Sequence, residues 1–167
     1  MRKYINQFWG WYERNLRINI GIAAFLFVWQ LVHLFWLASD VIAEHLLSFT
    51  LLNLSGIWEY VIIAIDYTEI PAIFTVSLVY INELRQNKNL KKNWLFLVLL
   101  NSQWLHLFWI TDEFVLDRFR ETGGTVLPLW LAWVAIMIDY LELPVMYDTI
   151  KKFFNITRSL DKGSQNI

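Results

Sequence analysis

Two histidines and four carboxylates stand in matched positions in this chain, and they are the residues whose types and spacing could do chemistry. The stretch Gln30-Leu31-Val32-His33-Leu34-Phe35-Trp36 returns 73 positions later as Gln103-Trp104-Leu105-His106-Leu107-Phe108-Trp109. At the same offset, Ile65-Asp66-Tyr67-Thr68-Glu69-Ile70-Pro71 returns as Ile138-Asp139-Tyr140-Leu141-Glu142-Leu143-Pro144. A fixed period of this length means that one structural unit was used twice. Elsewhere the halves have diverged: Ala64 faces Met137, Thr68 faces Leu141 and Glu59 faces Ala132. His33, Asp66, Glu69, His106, Asp139 and Glu142 all lie in strongly apolar sequence. An isolated ionised carboxylate there costs several kcal/mol or takes up a proton.

Four carboxylates together repel unless positive charge sits among them, and no lysine or arginine falls near them in sequence. The compensating charge is then protons, passing cations or bound metal. Imidazole with carboxylate suits Fe, Mn or Zn. Two His and four Asp/Glu from four helices are also the ligand inventory of soluble di-iron carboxylate bundles. Those proteins place Glu-x-x-His on single helices, whereas here His and Asp-x-x-Glu lie on successive ones, so the likeness is one of inventory only. Tyr67 and Tyr140, beside the carboxylates, and Gln30 and Gln103, one turn before each His, are candidates to support the ligands. The Phe-Trp pair after each His reads as packing.

The elements that must position these residues are membrane helices. The chain has 167 residues, of which 57% are hydrophobic, against about 45–50% in a soluble domain. The expected fold is an all-α integral membrane protein, a four-helix bundle of transmembrane helices built from two tandem two-helix repeats. The spans expected are residues 18–39, 58–81, 94–111 and 126–147. Residues 1–17 form an N-terminal segment lying in the interface or extending the first span. Repeat 1 covers residues 18–82, a basic loop 83–93, repeat 2 residues 94–155, and a polar tail 156–167. Pro71 and Pro144 lack an N–H and predict a kink beside the carboxylates in each half. There is no cysteine, which excludes thiolate metal sites and Fe–S clusters.

Lysine and arginine concentrate in the N-terminal segment, the middle loop and the tail. The positive-inside rule then puts both termini in the cytoplasm, in a bacterial inner membrane. Both repeats enter in the same orientation, related by a pseudo-two-fold axis along the membrane normal. Counting from Asp40, Glu59 and Glu113 places the six polar residues ~10 Å below the outer boundary, within one helical turn of one another. Gln30, His33, Leu37, Asp40 and Glu44 form one stripe at spacings of three and four, and Gln103, His106, Ile110, Glu113 and Asp117 repeat it.

The first functional reading is therefore a membrane metalloprotein with an intramembrane, dinuclear His/carboxylate site. If catalytic, it would oxidise or hydrolyse an apolar membrane substrate; two separate mononuclear sites are the variant. The second is a cation or proton channel or transporter, with Asp40, Glu44, Glu113 and Asp117 as an outer acidic mouth. The third is a small subunit of a larger membrane complex, or a bis-histidine haem protein through His33 and His106. Expected partners are membrane lipid and an apolar small molecule or a cation, in a homo-oligomer or larger complex. No nucleic-acid partner is expected.

Overall fold

The structure, a computed structural model, describes residues 2–42, 56–111 and 129–164. Among the described residues the chain is all-helical, with no strand. In chain order the helices are α1 (Arg2–Arg14), α2 (Leu16–Trp36), α3 (Ile57–Tyr67), α4 (Glu69–Arg85), α5 (Leu90–Ile110), α6 (Leu129–Leu141) and α7 (Leu143–Ser164). Past Trp36 the backbone of α2 widens into a π turn over Leu37–Ile42. Among the described residues, two helices are long and apolar enough to cross a membrane, Leu16–Ser39 with 24 residues and Tyr60–Arg85 with 26. At 1.5 Å per residue either exceeds a hydrocarbon core of ~30 Å.

α3 and α4 form one rod interrupted at Thr68, and α6 and α7 form another interrupted at Glu142. Each interruption lies just ahead of a proline, Pro71 or Pro144, as the sequence leads one to expect. Proline has no N–H to continue the ladder, so the turn before it tightens. The Thr68 N–H reaches the Ile65 carbonyl at 2.9 Å and the Glu142 N–H reaches that of Asp139 at 3.1 Å, both three residues back instead of four.

Between α4 and α5 the chain reverses through Gln86-Asn87-Lys88-Asn89. Asn87 and Asn89 have φ of 55° and 41°, a region that asparagine tolerates better than most residues. Lys88 N–H bonds the Glu83 carbonyl and Asn87 N–H that of Leu84, each at 3.0 Å. This is a Schellman closure with asparagine in the left-handed position.

α2 packs along α4 and α7, and α5 packs along α4 and α6. The inward stripe of α2 is Ile20, Ala23, Phe27, Gln30, His33 and Leu37; on α5 it is Asn93, Leu97, Leu100, Gln103, His106 and Ile110. The outward faces are more apolar than the inward ones, with Phe25, Val28, Val32 and Phe35 exposed on α2 and Leu95, Val98, Leu105 and Phe108 on α5. An apolar core joins α2, α4, α5 and α7 through Phe27, Val76, Val79, Leu100 and Val145. A smaller cluster of Trp109, Ile110 and Ala135 joins α5 to α6.

α1 bends away from α2 at Asn15 and buries Trp9 and Tyr12. The Arg85 guanidinium at the end of α4 lies 4.2 Å over the Trp9 ring. Beside it, Asp148 of α7 ties three helices together. It contacts Lys92 of α5, accepts from Lys152 at 2.6 Å and accepts the Tyr80 hydroxyl of α4 at 3.1 Å. Lys152 also reaches Glu83 at 3.0 Å.

Burial by itself would raise the Asp148 pKa. The Lys152 and Lys92 ammonium groups outweigh it and hold the carboxyl below the ordinary carboxylate range. Because the folded value is the lower one, the unfolded chain takes up the proton first on acidification. The stabilisation is full above ~pH 5 and disappears as pH falls below the unfolded value of ~3.9. Thermal melts of wild type and Asp148→Asn will therefore differ by a constant Tm gap near neutrality. That gap will close below ~pH 4; a gap independent of pH would contradict the ion-pair account.

Candidate metal centre

Four helices converge on one buried layer. α2 supplies His33, α5 supplies His106, the end of α3 and the start of α4 supply Asp66 and Glu69, and α6 with its break supplies Asp139 and Glu142. All six are buried: none exposes more than 4% of its surface. The helical spacing explains this, because His33 and His106 fall on the inward stripes and Asp-x-x-Glu places two carboxylates on one face.

Asp139 stands between the two imidazoles. Its Oδ2 is 3.4 Å from His33 Nε2 and its Oδ1 is 3.3 Å from His106 Nδ1. On its other side, His33 Nδ1 lies against Asp66 Oδ1. The rings are 5.8 Å apart between centroids, at 61°. One nitrogen or oxygen from each of His33, His106 and Asp139 lies within 4.8 Å of the others. This buried group could hold a metal ion. The space between the imidazoles holds a carboxylate, and a haem ligated by both histidines has no place there.

The lengths bear on two interpretations, a hydrogen-bonded pair, as His33 Nε2 and Asp139 Oδ2 form at 3.4 Å, and a shared ion. A charge-assisted N–H···O⁻ bond runs ~2.7–2.9 Å, well below 3.3 and 3.4 Å. Two ligand atoms each ~2.0–2.1 Å from one tetrahedral ion stand about 3.3–3.4 Å apart. The His106 ring hydrogen-bonds to the Ala135 backbone, and its Nδ1 has no hydrogen bond. His106 Nδ1 faces a carboxylate oxygen at 3.3 Å, an arrangement that calls for a proton or a metal cation between the two atoms. Glu69 Oε1 and Glu142 Oε1 are also buried without hydrogen bonds, whereas His33 Nδ1 and Asp66 Oδ1 pair with each other. Among the described residues, the ion pairs of this layer join His to Asp alone, with no lysine or arginine.

The structure thus gathers His33, His106 and Asp139 into one group, sets Asp66 against His33, and buries Glu69 and Glu142 within electrostatic range of the other carboxylates. Gln30 and Gln103 take a different role from orienting imidazoles. Gln30 Nε2 donates to the Ile65 carbonyl and Gln103 Nε2 to the Ile138 carbonyl, each at 3.1 Å, and Gln30 Nε2 donates also to the Thr68 hydroxyl at 2.9 Å. Both carbonyls lie beside the helix interruptions, so the amides hold the carboxylate-bearing segments in place. Tyr67 and Tyr140 bridge helices. The Tyr67 hydroxyl pairs with Thr111 at 2.9 Å, and Thr111 donates to the Leu107 carbonyl at 2.7 Å. Ala38 occupies the matching position in the first half, and there Tyr140 reaches the Leu34 carbonyl itself, at 3.4 Å.

Trp36 and Trp109 pack on the His rings at 5.8 and 5.7 Å. Glu44, Glu113, Asp117 and the Asp40 side chain, the expected outer acidic mouth, lie outside the described residues, as do Val126, Leu127 and Pro128 of the fourth expected span. Thr111 and the Ala135 carbonyl escape a reading of the sequence. Thr111 has no counterpart at the repeat offset, and a backbone acceptor carries no side-chain signature.

Among known proteins, no family model matches the chain, and no curated protein or solved structure is significantly similar to it.

The two amide clamps are unequal. The Ile65 carbonyl also accepts the Thr68 hydroxyl at 2.6 Å, whereas Leu141, without a hydroxyl, matches Thr68 in the second half. Gln103→Leu will destabilise the protein by roughly 1–3 kcal/mol, the cost of an unsatisfied buried group. Gln30→Leu will cost less. Equal losses in thermal or denaturant unfolding in detergent would count against this account.

Proposed function

We propose that the chain is an integral membrane metalloprotein of four spans. Two tandem two-helix repeats, related by a pseudo-two-fold axis along the membrane normal, form a bundle around a single dinuclear centre. His33, Asp66, Glu69, His106, Asp139 and Glu142 are its ligands, and Fe, Mn or Zn is its metal. Both termini lie in the cytoplasm, in the inner membrane of a bacterium. The observation that carries this reading is the Asp139 carboxylate, one oxygen directed at each imidazole at the separation of ligands that share an ion.

A metal bound here would supply redox chemistry if Fe or Mn, or an activated water if Zn. The chain's own residues do the remaining work. Asp139 links the two His-bearing helices. Gln30 and Gln103 fix the interrupted segments that present Asp66 and Asp139. The outward faces are apolar, so the molecule that reaches the site is an apolar membrane molecule, and a catalytic site would oxidise or hydrolyse it. Pro71 and Pro144 lie exposed on the outer surface beside the carboxylates and mark where such a molecule approaches. The packing favours a metal centre over a cation conduit. On the side of Glu69 away from the outer loops, Ala72, Ile73, Val76, Val79 and Tyr80 are buried in an apolar core with Leu97 and Leu100. A dry plug of this kind suits a site loaded from one side.

Elemental analysis of detergent-purified protein tests the proposal. Wild type is expected to hold about two equivalents of metal, as a two-His, four-carboxylate ligand set does. His33→Ala/His106→Ala and Asp139→Ala will lose it. Tyr67→Phe and Tyr140→Phe will retain it, because both hydroxyls are engaged elsewhere. Absence of metal from wild type after loading with Fe, Mn and Zn would overturn the reading.

A further inference from the structure

The seam between α4 and α5 holds a groove of about 940 Å³, open along one side. Its walls are almost wholly apolar, with Phe74, Leu78, Trp94, Val98 and Trp104 prominent. The seam related to it at the repeat offset, between α2 and α7, is packed differently. There Phe153 approaches Gly21 so closely that a Cβ on Gly21 would stand 3.1 Å from its ring. At the positions matching Gly21 and Phe153, the first seam carries Trp94, which is exposed, and Tyr80, which is fully buried toward the core. The duplicated halves have therefore diverged at this place, one seam closing and the other staying open.

The two ends of the groove differ. One end is formed by Arg85 and Leu90, beside the α4–α5 hairpin, where Lys88 and Lys91 are also exposed. The nearby Glu83 is engaged with Lys152, and Arg85 lies over Trp9 and 3.9 Å from Glu13, an exposed pair of the weak kind that a phosphate can displace. The other end is closed by Phe74 and Trp104, edge to face at 6.1 Å. Trp104 lies two residues before His106, and Phe74 five after Glu69. From Arg85 to Phe74 the helix rises ~16 Å, a length that suits a hydrocarbon chain. The long apolar trough with a cationic mouth and an aromatic floor beside the polar layer complements an amphiphile with an anionic head and a hydrocarbon tail. The open side faces outward along the helices, so such a molecule slides in laterally from the bilayer.

We infer that the groove between α4 and α5 binds an anionic phospholipid of the cytoplasmic leaflet, its headgroup at Arg85 and one acyl chain running up to Trp104. The inference rests on the membrane reading above and deepens it by naming the class of apolar molecule brought beside the metal centre. The Arg85 guanidinium offers a planar fork suited to phosphate, and the lysines of the hairpin add attraction toward an anionic surface.

Photolabelling of the intact chain in nanodiscs tests it. The probes are phosphatidylglycerol and phosphatidylcholine carrying the same diazirine-bearing acyl chain, with labelled residues mapped by mass spectrometry. The phosphatidylglycerol probe is expected to label Leu78, Val98 and Trp104 above the level at Phe25, Val28 and Val32 of α2, which face outward elsewhere. Phosphatidylglycerol with Arg85→Gln will label the groove about tenfold less, the loss expected for one charge-assisted contact, and phosphatidylcholine, whose choline cancels the phosphate charge beside Lys88 and Lys91, will label it less than phosphatidylglycerol. Val98→Trp, which fills the trough, will abolish groove labelling. Thermal melts of both variants establish that they fold, and Leu95→Trp, on the exposed face beside the groove, serves as the control of equal bulk.

Equal labelling of groove and α2 surface with both headgroups would mean bulk lipid only and would overturn the inference. So would protection of the groove by a second copy of the chain. Metal content is read in the same samples. Selective labelling without metal would sink the metal centre and leave the lipid site standing, and metal without selective labelling would do the reverse.

Discussion

The constraint on which the structure depends is the desolvation of four carboxylates and two imidazoles in a single layer that contains no cationic side chain among the described residues. Each such group, taken from water singly, costs several kcal/mol. They are tolerated together only because they face one another closely enough to share positive charge. The inward stripes of α2 and α5, the tightened turns ahead of Pro71 and Pro144, and the central position of Asp139 all serve that juxtaposition. Protons or the proposed metal can supply that positive charge between the facing nitrogens and oxygens.

A second requirement follows from the first. To bring Asp66 with Glu69, and Asp139 with Glu142, into one layer, each carboxylate-bearing rod is interrupted, and beside each interruption lies a backbone carbonyl that water cannot reach. Gln30 and Gln103 answer this from the neighbouring helices at the same length, 3.1 Å, and on the same carbonyl in the repeat. The polar layer therefore contains its own scaffold: the amides satisfy backbone, and the imidazoles and carboxylates are left to one another. Far from this layer, Asp148 between Lys92 and Lys152 closes the other end of the helices with ordinary ion pairs, where water and charge are available.

The halves are alike where the polar layer demands it and different elsewhere. Thr68 supports the Ile65 carbonyl, yet Leu141 leaves Ile138 to Gln103. Thr111 intercepts Tyr67, yet Ala38 lets Tyr140 reach backbone. Phe153 fills one seam against Gly21, whereas the other seam, with Trp94, stays open. Divergence of this pattern leaves the shared chemistry at the axis intact and allows one flank to specialise, which is where the lipid groove is proposed.

Much of this was legible in the residues themselves. The offset of 73, the spacing of three and four along Gln30-His33-Leu37, and Asp-x-x-Glu with a following proline were enough to name the six buried polar residues. Helical periodicity fixes which side chains share a face, and the burial cost of charge fixes that those faces turn inward. The interruptions were legible for the same reason, since proline's missing N–H is a local property. Relations between helices were not. That Asp139 alone stands between both rings, that His106 spends one nitrogen on the Ala135 carbonyl, and that the glutamines clamp backbone depend on lateral distances and rotamers that no spacing along one helix encodes. The open seam at α4–α5 is likewise a product of how Trp94, Tyr80, Gly21 and Phe153 pack across helices. Only the tertiary structure could decide these, because packing against a neighbour is set by shape across the interface and not by period along the chain.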